Sequence, residues 1–174
     1  MPIEQYLDVV LLPLVSIAAV NDLASRRIPN RLLVAGLACA CGLRLLSPGP
    51  LLSALAGLGG MAAGFALFLP LYLLRGMAAG DVKMLAVVGA FTGAQDVLQI
   101  AVLTWCAGGV MALVLMLVRG RLMLAIGNIG RMLSGLMLPG GMAAAPAVQQ
   151  SAGSMPYGVA IAIGTVVAMM RHYS

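Results

Sequence analysis

The chain has 174 residues, of which 62% are hydrophobic and 9% are charged, and its mean hydropathy is +1.06. A soluble core does not need this much apolar surface, so the excess is expected to face lipid. The apolar runs are continuous and do not alternate with a period of two. They therefore favour an all-α polytopic membrane protein over a β-barrel.

Six apolar runs predict transmembrane helices along the chain. In order, they cover about 4–21, 32–47, 51–74, 82–95, 97–118 and 155–171. The second and fourth runs are short for a bilayer about 30 Å thick. Two small-residue pairs, Gly60-x-x-x-Gly64 and Ala160-x-x-x-Gly164, predict close helix packing within one chain.

The segment 119–154 separates the fifth and sixth runs. Residues 121–138 place Arg121, Asn128 and Arg131 near one helical face, which predicts an amphipathic helix on the cytoplasmic leaflet. A seventh span is the alternative, but it would put Arg131 deep in lipid. Residues 139–154 are rich in Pro, Gly, Ala, Ser and Gln, and they predict a flexible loop within a single membrane-embedded domain, 1–174.

The net charge of +5 comes from ten basic and five acidic residues, and the basic ones are unevenly distributed. If the loops after the first, third and fifth spans share one side, that side holds all the basic residues except Arg44 and Arg171. The positive-inside rule places this side in the cytoplasm and both termini outside. The cytoplasmic basic residues are then Arg26, Arg27, Arg31, Arg75, Lys83, Arg119, Arg121 and Arg131. No basic patch interleaved with aromatic residues occurs, so the bilayer is a predicted partner and nucleic acid is not.

Metal ligands of the zinc type are scarce. The chain has three cysteines and one histidine, and Cys39, Cys41 and Cys106 form no CxxC pair. A zinc site needs more ligands than this. We therefore predict no metal and no cofactor.

Two aspartates lie at the predicted cytoplasmic ends of spans. Asp22 closes the first span and Asp81 opens the fourth, so both carboxylates are expected at one membrane level. If they meet, they cannot both ionise cheaply and will share a proton. The ionised group can take a proton from water, while the protonated group donates to a carbonyl or a leaving amine. This chemistry hydrolyses a peptide bond without a metal. Asp8 and Asp96 lie near the outer edge, where solvent exposure explains them.

The helix dipole predicts different roles for the two aspartates. Asp81 lies at a helix N-terminus, where its anion is favoured, so we expect it to act as the base. Asp22 lies at a helix C-terminus, so we expect it to act as the acid. Either residue alone has a simpler explanation, as a helix cap or as the ion-pair partner of a nearby Arg26, Arg27 or Lys83.

The neighbours of the two aspartates fit such a site. Gly80 has no side chain, so a substrate backbone can approach Asp81 closely. Pro29 restricts Ile28 to an extended conformation, and Asn30 is expected to be the N-cap of the second span. These three residues would hold the loop after Asp22 in a turn.

Three segments resemble the type IV prepilin peptidase family, the GxGD class of membrane aspartyl proteases. Residues 22–30 resemble the family's first aspartate with its following basic-x-Ile-Pro-Asn run. Residues 78–83, Ala-Ala-Gly-Asp-Val-Lys, resemble the GxGD-V-K motif. Residues 155–162 resemble the Pro-aromatic-Gly segment that opens the last span. The short form is most similar to the peptidases of tight-adherence (Flp-type) pilus systems.

This resemblance implies an aspartic endopeptidase of the bacterial inner membrane. It would remove the leaders of prepilins and pseudopilins after a Gly, at the cytoplasmic face. The implied catalytic pair is Asp22 and Asp81, and the implied supporting residues are Gly80, Ala78, Lys83, Pro29 and Asn30. The amino-terminal domain with paired CxxC motifs in longer members has no counterpart here, so methyltransferase activity is not predicted.

Ala78 departs from the motif, which has Gly at this position. Because Ala restricts the backbone, we expect Ala78→Gly to maintain or raise turnover and Ala78→Val to lower it. The departure is also the one feature that favours a noncatalytic membrane scaffold for pilus assembly. A small proton-coupled transporter or channel is a further alternative, but it would predict polar groups deep within the spans.

Overall fold

The computed structural model describes residues 3–74, 76–118, 120 and 156–172. These residues form α1 (Ile3–Ser25), α2 (Asn30–Leu45), α3 (Pro50–Leu73), α4 (Ala79–Thr92), α5 (Ala94–Val118) and α6 (Tyr157–His172). No strand occurs in these ranges, so the predicted all-α class is confirmed. The predicted amphipathic helix at 121–138 and the loop at 139–154 lie outside the described residues.

Three of these helices, α1, α3 and α5, are long and apolar enough to cross a membrane. A fourth, α6, is apolar but shorter. Large apolar side chains remain exposed on them, including Leu51 and Leu55 of α3 and Leu98 and Val102 of α5. Such surfaces are expected to face acyl chains, so the chain has the architecture of a polytopic helical membrane protein.

The chain divides into two compact units, residues 1–108 with 156–174, and residues 109–155. The first unit contains α1 to α4, the first part of α5, and α6, and every contact discussed below belongs to it. The second unit is described only at residues 109–118 and at Gly120.

The first helix extends beyond its predicted end at residue 21 and includes Asp22 in its last turns. Its polar residues are accommodated locally, because the Asn21 amide donates to the Ile17 carbonyl at 2.9 Å and the Ser25 hydroxyl donates to the Asn21 carbonyl at 2.8 Å. The helix ends where Arg26 adopts a left-handed φ of 52°. The turn after α1 thus begins at Arg26, before the Ile28-Pro29-Asn30 segment that was predicted to hold it.

The short helix α4 lies at the centre of the helix bundle, and all its residues from Met84 to Phe91 are buried. Gly60 and Gly64 of α3 bring the two backbones together. A Cβ on Gly60 would overlap the Gly89 carbonyl oxygen, and a Cβ on Gly64 would lie 2.5 Å from the Leu85 carbonyl oxygen. The predicted small-residue pair therefore packs within the chain, against α4.

A buried arginine binds the C-terminal end of α4. Arg44, in the last turn of α2, donates from Nε to the Ala90 carbonyl at 2.6 Å and from Nη2 to the Phe91 carbonyl at 2.8 Å. Its Nη1 donates to the Ser53 carbonyl at 2.8 Å. The bonds to Ala90 and Phe91 satisfy carbonyls that the last turn of α4 leaves unpaired, so this helix of 14 residues can end inside the bundle.

Candidate active site

Asp22 is buried, with 5% of its surface exposed, although it belongs to a long apolar helix. Its Oδ2 atom accepts a hydrogen bond of 2.7 Å from the backbone N–H of Gly158, in the first turn of α6. The backbone carbonyl of Asp22 accepts the N–H of Arg26 at 2.8 Å, which closes the last turn of α1. The buried carboxylate is therefore anchored by a different helix from the one that carries it.

Asp81 is buried to the same degree and lies in the first turn of α4. Its Oδ2 atom accepts the backbone N–H of Ala78, the residue that caps the helix, at 3.1 Å. This is the return bond of a capping box, in which an acidic residue at the third helical position binds the N-cap N–H. The expectation that Asp81 lies at a helix N-terminus is thus met.

The structure brings the two aspartates into electrostatic contact, because α1 packs against α4 and the charge of Asp22 acts on Asp81. Asp81 precedes the apolar run predicted for the fourth span. Burial raises its pKa to about 7, the Ala78 N–H opposes this change, and the Asp22 charge adds to it. Near neutral pH the arrangement can therefore hold one proton and one negative charge, as acid–base catalysis by a carboxyl pair requires.

The residues around Asp81 support this geometry in different ways. Gly80 faces Ile28, and a Cβ at Gly80 would lie 3.6 Å from the Ile28 Cβ, an ordinary contact distance. Lys83 is exposed, and its Nζ donates to Asn30 Oδ1 at 3.4 Å, which links α4 to the start of α2. Packing within the protein therefore does not require a glycine at position 80.

Asn30 is not the N-cap of the second helix, as the sequence had suggested. It is the first helical residue, and Pro29 occupies the N-cap position with φ of −63° and ψ of 126°. Pro29 makes no side-chain cap bond, but its carbonyl accepts the N–H of Leu32 at 3.0 Å. A fixed φ near −65° makes proline suitable for this turn, and the Asn30 side chain is free to reach Lys83 instead.

The backbone at Ala78 does not require glycine. Its φ of −83° and ψ of 154° are extended values that every residue type adopts easily, and its side chain is exposed. The backbone restriction that Ala imposes relative to the motif Gly therefore causes no strain in this conformation.

Sequence reasoning missed the role of Gly158 at this site. The residue was noted as part of the Pro-aromatic-Gly segment, but nothing in that segment indicates a contact with a residue 136 positions earlier. The adjacent Tyr157 packs against α5, since a Cβ on Gly108 of that helix would lie 3.3 Å from the Tyr157 Cε1 atom. Pro156 immediately before α6 was the available signal for a helix start at the site.

The sequence analysis explained Asp8 and Asp96 by solvent exposure and gave them no part in the site. Both line a separate cavity of about 610 Å³ at the other end of the helices, together with Arg44. Within the described ranges, no three His, Cys, Asp or Glu side chains are close enough together to hold a metal ion.

Comparison with known proteins identifies the class to which this fold and site belong. Residues 9–113 match the type IV leader peptidase family, and the chain belongs to that family. It is similar to a prepilin leader peptidase/N-methyltransferase of Bacillus subtilis (strain 168), with 41% identity over 96 residues. The match covers 53% of this chain and 38% of that relative. No solved structure matches the chain. The resemblance seen in the three sequence segments is thereby confirmed at the level of the family.

Proposed function

We propose that this protein is a membrane aspartic endopeptidase that removes the leader peptides of type IV prepilins and pseudopilins, with Asp22 and Asp81 as its catalytic pair. The observation that carries the proposal is that two buried carboxyl groups, one on α1 and one on α4, act on each other electrostatically in a chain of the leader peptidase family. Burying a carboxyl group is costly, and a catalytic role would explain why two buried carboxyl groups lie on neighbouring helices.

In the proposed reaction, ionised Asp22 takes a proton from water while the water oxygen attacks the scissile carbonyl carbon. Protonated Asp81 donates its proton to the carbonyl oxygen, which gives a neutral tetrahedral intermediate. As the C–N bond breaks, the amine leaves with a proton from Asp22, and Asp81 recovers its proton from the intermediate. No metal or covalent enzyme intermediate enters these steps.

This assignment reverses the roles that the helix dipole suggested. Asp22 sits at the C-terminus of α1, but the first turn of α6 supplies it with an N–H donor at 2.7 Å. Burial favours the protonated form of Asp81, whose pKa is about 7. Since the two carboxyls interact, they will titrate as a pair, and the roles describe the dominant protonation state.

The finer features of the proposal come from the sequence. The motifs resemble those of the Flp-type peptidases, so Flp-type prepilins are the proposed substrates. The charge asymmetry of the loops supports an active site at the cytoplasmic face of the bacterial inner membrane. The Bacillus relative is named as a methyltransferase as well, but only 38% of it is matched, and we do not propose that second activity here.

The decisive experiment replaces each aspartate by asparagine and measures leader removal from purified prepilins in detergent by mass spectrometry. Asp22→Asn and Asp81→Asn should each lower kcat by about 10²- to 10⁴-fold, because an amide cannot transfer the protons. The double variant should lose little more than either single one, since the pair acts as a unit.

The matched control is Asp96→Asn, which changes an exposed acid in the first turn of α5. It should cleave at the parent rate. Near-normal cleavage by either dyad variant, at equal amounts of folded protein, would refute the catalytic pair.

A further inference from the structure

The contact between Gly158 and Asp22 is too close for any side chain. A Cβ at position 158 would lie 2.9 Å from Asp22 Oδ2, 3.0 Å from its Cβ and 3.1 Å from its Cγ. The N–H of Gly158 donates to the same Oδ2 atom at 2.7 Å. A side chain at position 158 would therefore displace the Asp22 carboxylate.

We propose that Gly158 is a positioning residue for the catalytic pair, and that the first turn of α6 is the third element of the active site. The proposal rests on the proposed peptidase function. The proposal adds α6 to the site, and this helix lies outside residues 9–113, which match the family. Gly158 acts through Asp22: its N–H holds one carboxylate oxygen and leaves the other to bind water.

Helix geometry explains why a helix start suits this role. The first N–H groups of a helix have no partner within the helix, and the helix dipole adds positive potential at that end. Asp22 lies near the C-terminal end of its own helix, where the dipole disfavours its anion. Gly158 N–H offsets this effect at a distance that only a residue without a side chain allows.

A second glycine of α6 is tightly packed but lies away from the site. At Gly164, nearly two turns further along, a Cβ would lie 2.5 Å from Thr104 Oγ1 and 2.9 Å from the Thr104 nitrogen. That contact joins α6 to α5 and does not involve either aspartate. Gly164 is therefore a control glycine that is at least as crowded as Gly158.

The first test compares Gly158→Ala with Gly164→Ala in detergent-purified protein, with kcat and KM for prepilin cleavage measured per folded molecule. Gly158→Ala should lower kcat about 10- to 100-fold with KM within twofold, as expected for disturbing a charge-assisted hydrogen bond at the reacting group. Gly164→Ala should lower the thermal midpoint while leaving kcat near the parent value. An unchanged kcat in Gly158→Ala, or an equal fall in both variants, would overturn the positioning role.

The second test measures the contact itself and does not depend on activity. In a variant without the three native cysteines, Asp22→Cys combined with Gly158→Cys should form a disulfide on mild oxidation. The 3.0 Å between the two Cβ positions is slightly below the roughly 3.5–4.5 Å of disulfides, so a small shift suffices. Asp22→Cys with Gly164→Cys should not cross-link.

These two tests separate the failure of this proposal from the failure of the proposed function. If the parent protein does not cleave prepilins, the peptidase proposal falls, and cross-linking still decides whether Gly158 lies against Asp22. If the parent cleaves but the first pair does not cross-link, α6 is not part of the site and the positioning role is refuted.

Discussion

At the scale of single residues, the burial of Asp81 sets the pH dependence of the proposed reaction. Cleavage needs the proton of Asp81, and that proton is lost as the pH rises through about 7, the pKa of the group. The pH profile of kcat/KM should therefore fall on its alkaline side, with an apparent midpoint near this value. Measuring initial rates across the pH range checks this, and a profile that stays flat to pH 9 would contradict it.

The raised pKa of Asp81 also makes the stability of the folded protein decrease as the pH rises. An aspartate whose pKa is raised in the folded state binds more protons folded than unfolded, so it lowers stability progressively as the pH rises from about 4 to about 7. Asp81→Asn removes this cost while retaining a polar group at the helix start. Its thermal midpoint in detergent should exceed that of the parent by more at pH 8 than at pH 5, and the opposite trend would refute the explanation.

The extended backbone at Ala78 changes what we expect of substitutions there. A β-branched residue adopts φ of −83° and ψ of 154° without strain, and the exposed side chain has room. Ala78→Gly and Ala78→Val should therefore both cleave within about threefold of the parent rate, since neither removes the N–H that binds Asp81. Rates compared at equal membrane abundance test this. A large loss in Ala78→Val would show that substrate, and not the backbone, limits the size of this residue.

The sequence predicted the two aspartates because a charge beside an apolar run is costly and needs a reason. It did not predict the partner of Asp22, since the N–H of Gly158 belongs to the backbone and carries no signature in the residue type. The helix dipole argument considered only the helix that carries Asp22, and not the start of α6, which is packed against it. Local sequence thus located the acids, and long-range packing determined their environment.

At the scale of helices, the close approach of α3 and α4 should dominate stability. A Cβ on Gly60 or Gly89 would overlap backbone atoms of the facing helix, whereas a Cβ on Gly59 would meet nothing within 4 Å. Gly60→Ala and Gly89→Ala should each destabilise the protein by about 1–3 kcal/mol, the range for overpacking, while Gly59→Ala should not. Thermal unfolding in detergent distinguishes these outcomes. Equal midpoints for Gly59→Ala and Gly60→Ala would contradict the packing described here.

Hydropathy predicted the positions of the helices well and their ends less well. Long apolar runs leave little doubt that a helix exists, because lipid requires every backbone group to be bonded internally. The ends depend on side-chain contacts that hydropathy ignores. Asn21 and Ser25 bond to carbonyls of their own helix near the end of α1. The helix α4 is capped by Gly93, which has a φ of 92°, and Arg44 of α2 binds its last carbonyls. The count of basic residues used to predict the orientation assigned Arg44 to the outer side, but the Arg44 side chain is buried.

At the scale of the whole molecule, orientation in the membrane is a prediction from loop charge. In a background without native cysteines, Ser25→Cys should react with a membrane-impermeant thiol reagent only from the cytoplasmic side. Gly49→Cys and Gln95→Cys should react from the opposite side, and all three positions are exposed. Labelling of intact cells compared with inverted vesicles measures this. Reaction of Ser25→Cys and Gly49→Cys from the same side would contradict the predicted orientation of α2.

The pairing of the helices has a mechanical consequence for the two aspartates. Asp81 belongs to α4, which packs most extensively on α3, whereas Asp22 belongs to α1, which packs most extensively on α6. The direct contact between α1 and α4 is smaller. A change in tilt between the two helix pairs would therefore alter the separation of the carboxylates before it disrupted either pair. Since helices adjust their tilt to the thickness of the bilayer, acyl-chain length is a physical variable to which the rate of the proposed cleavage should respond.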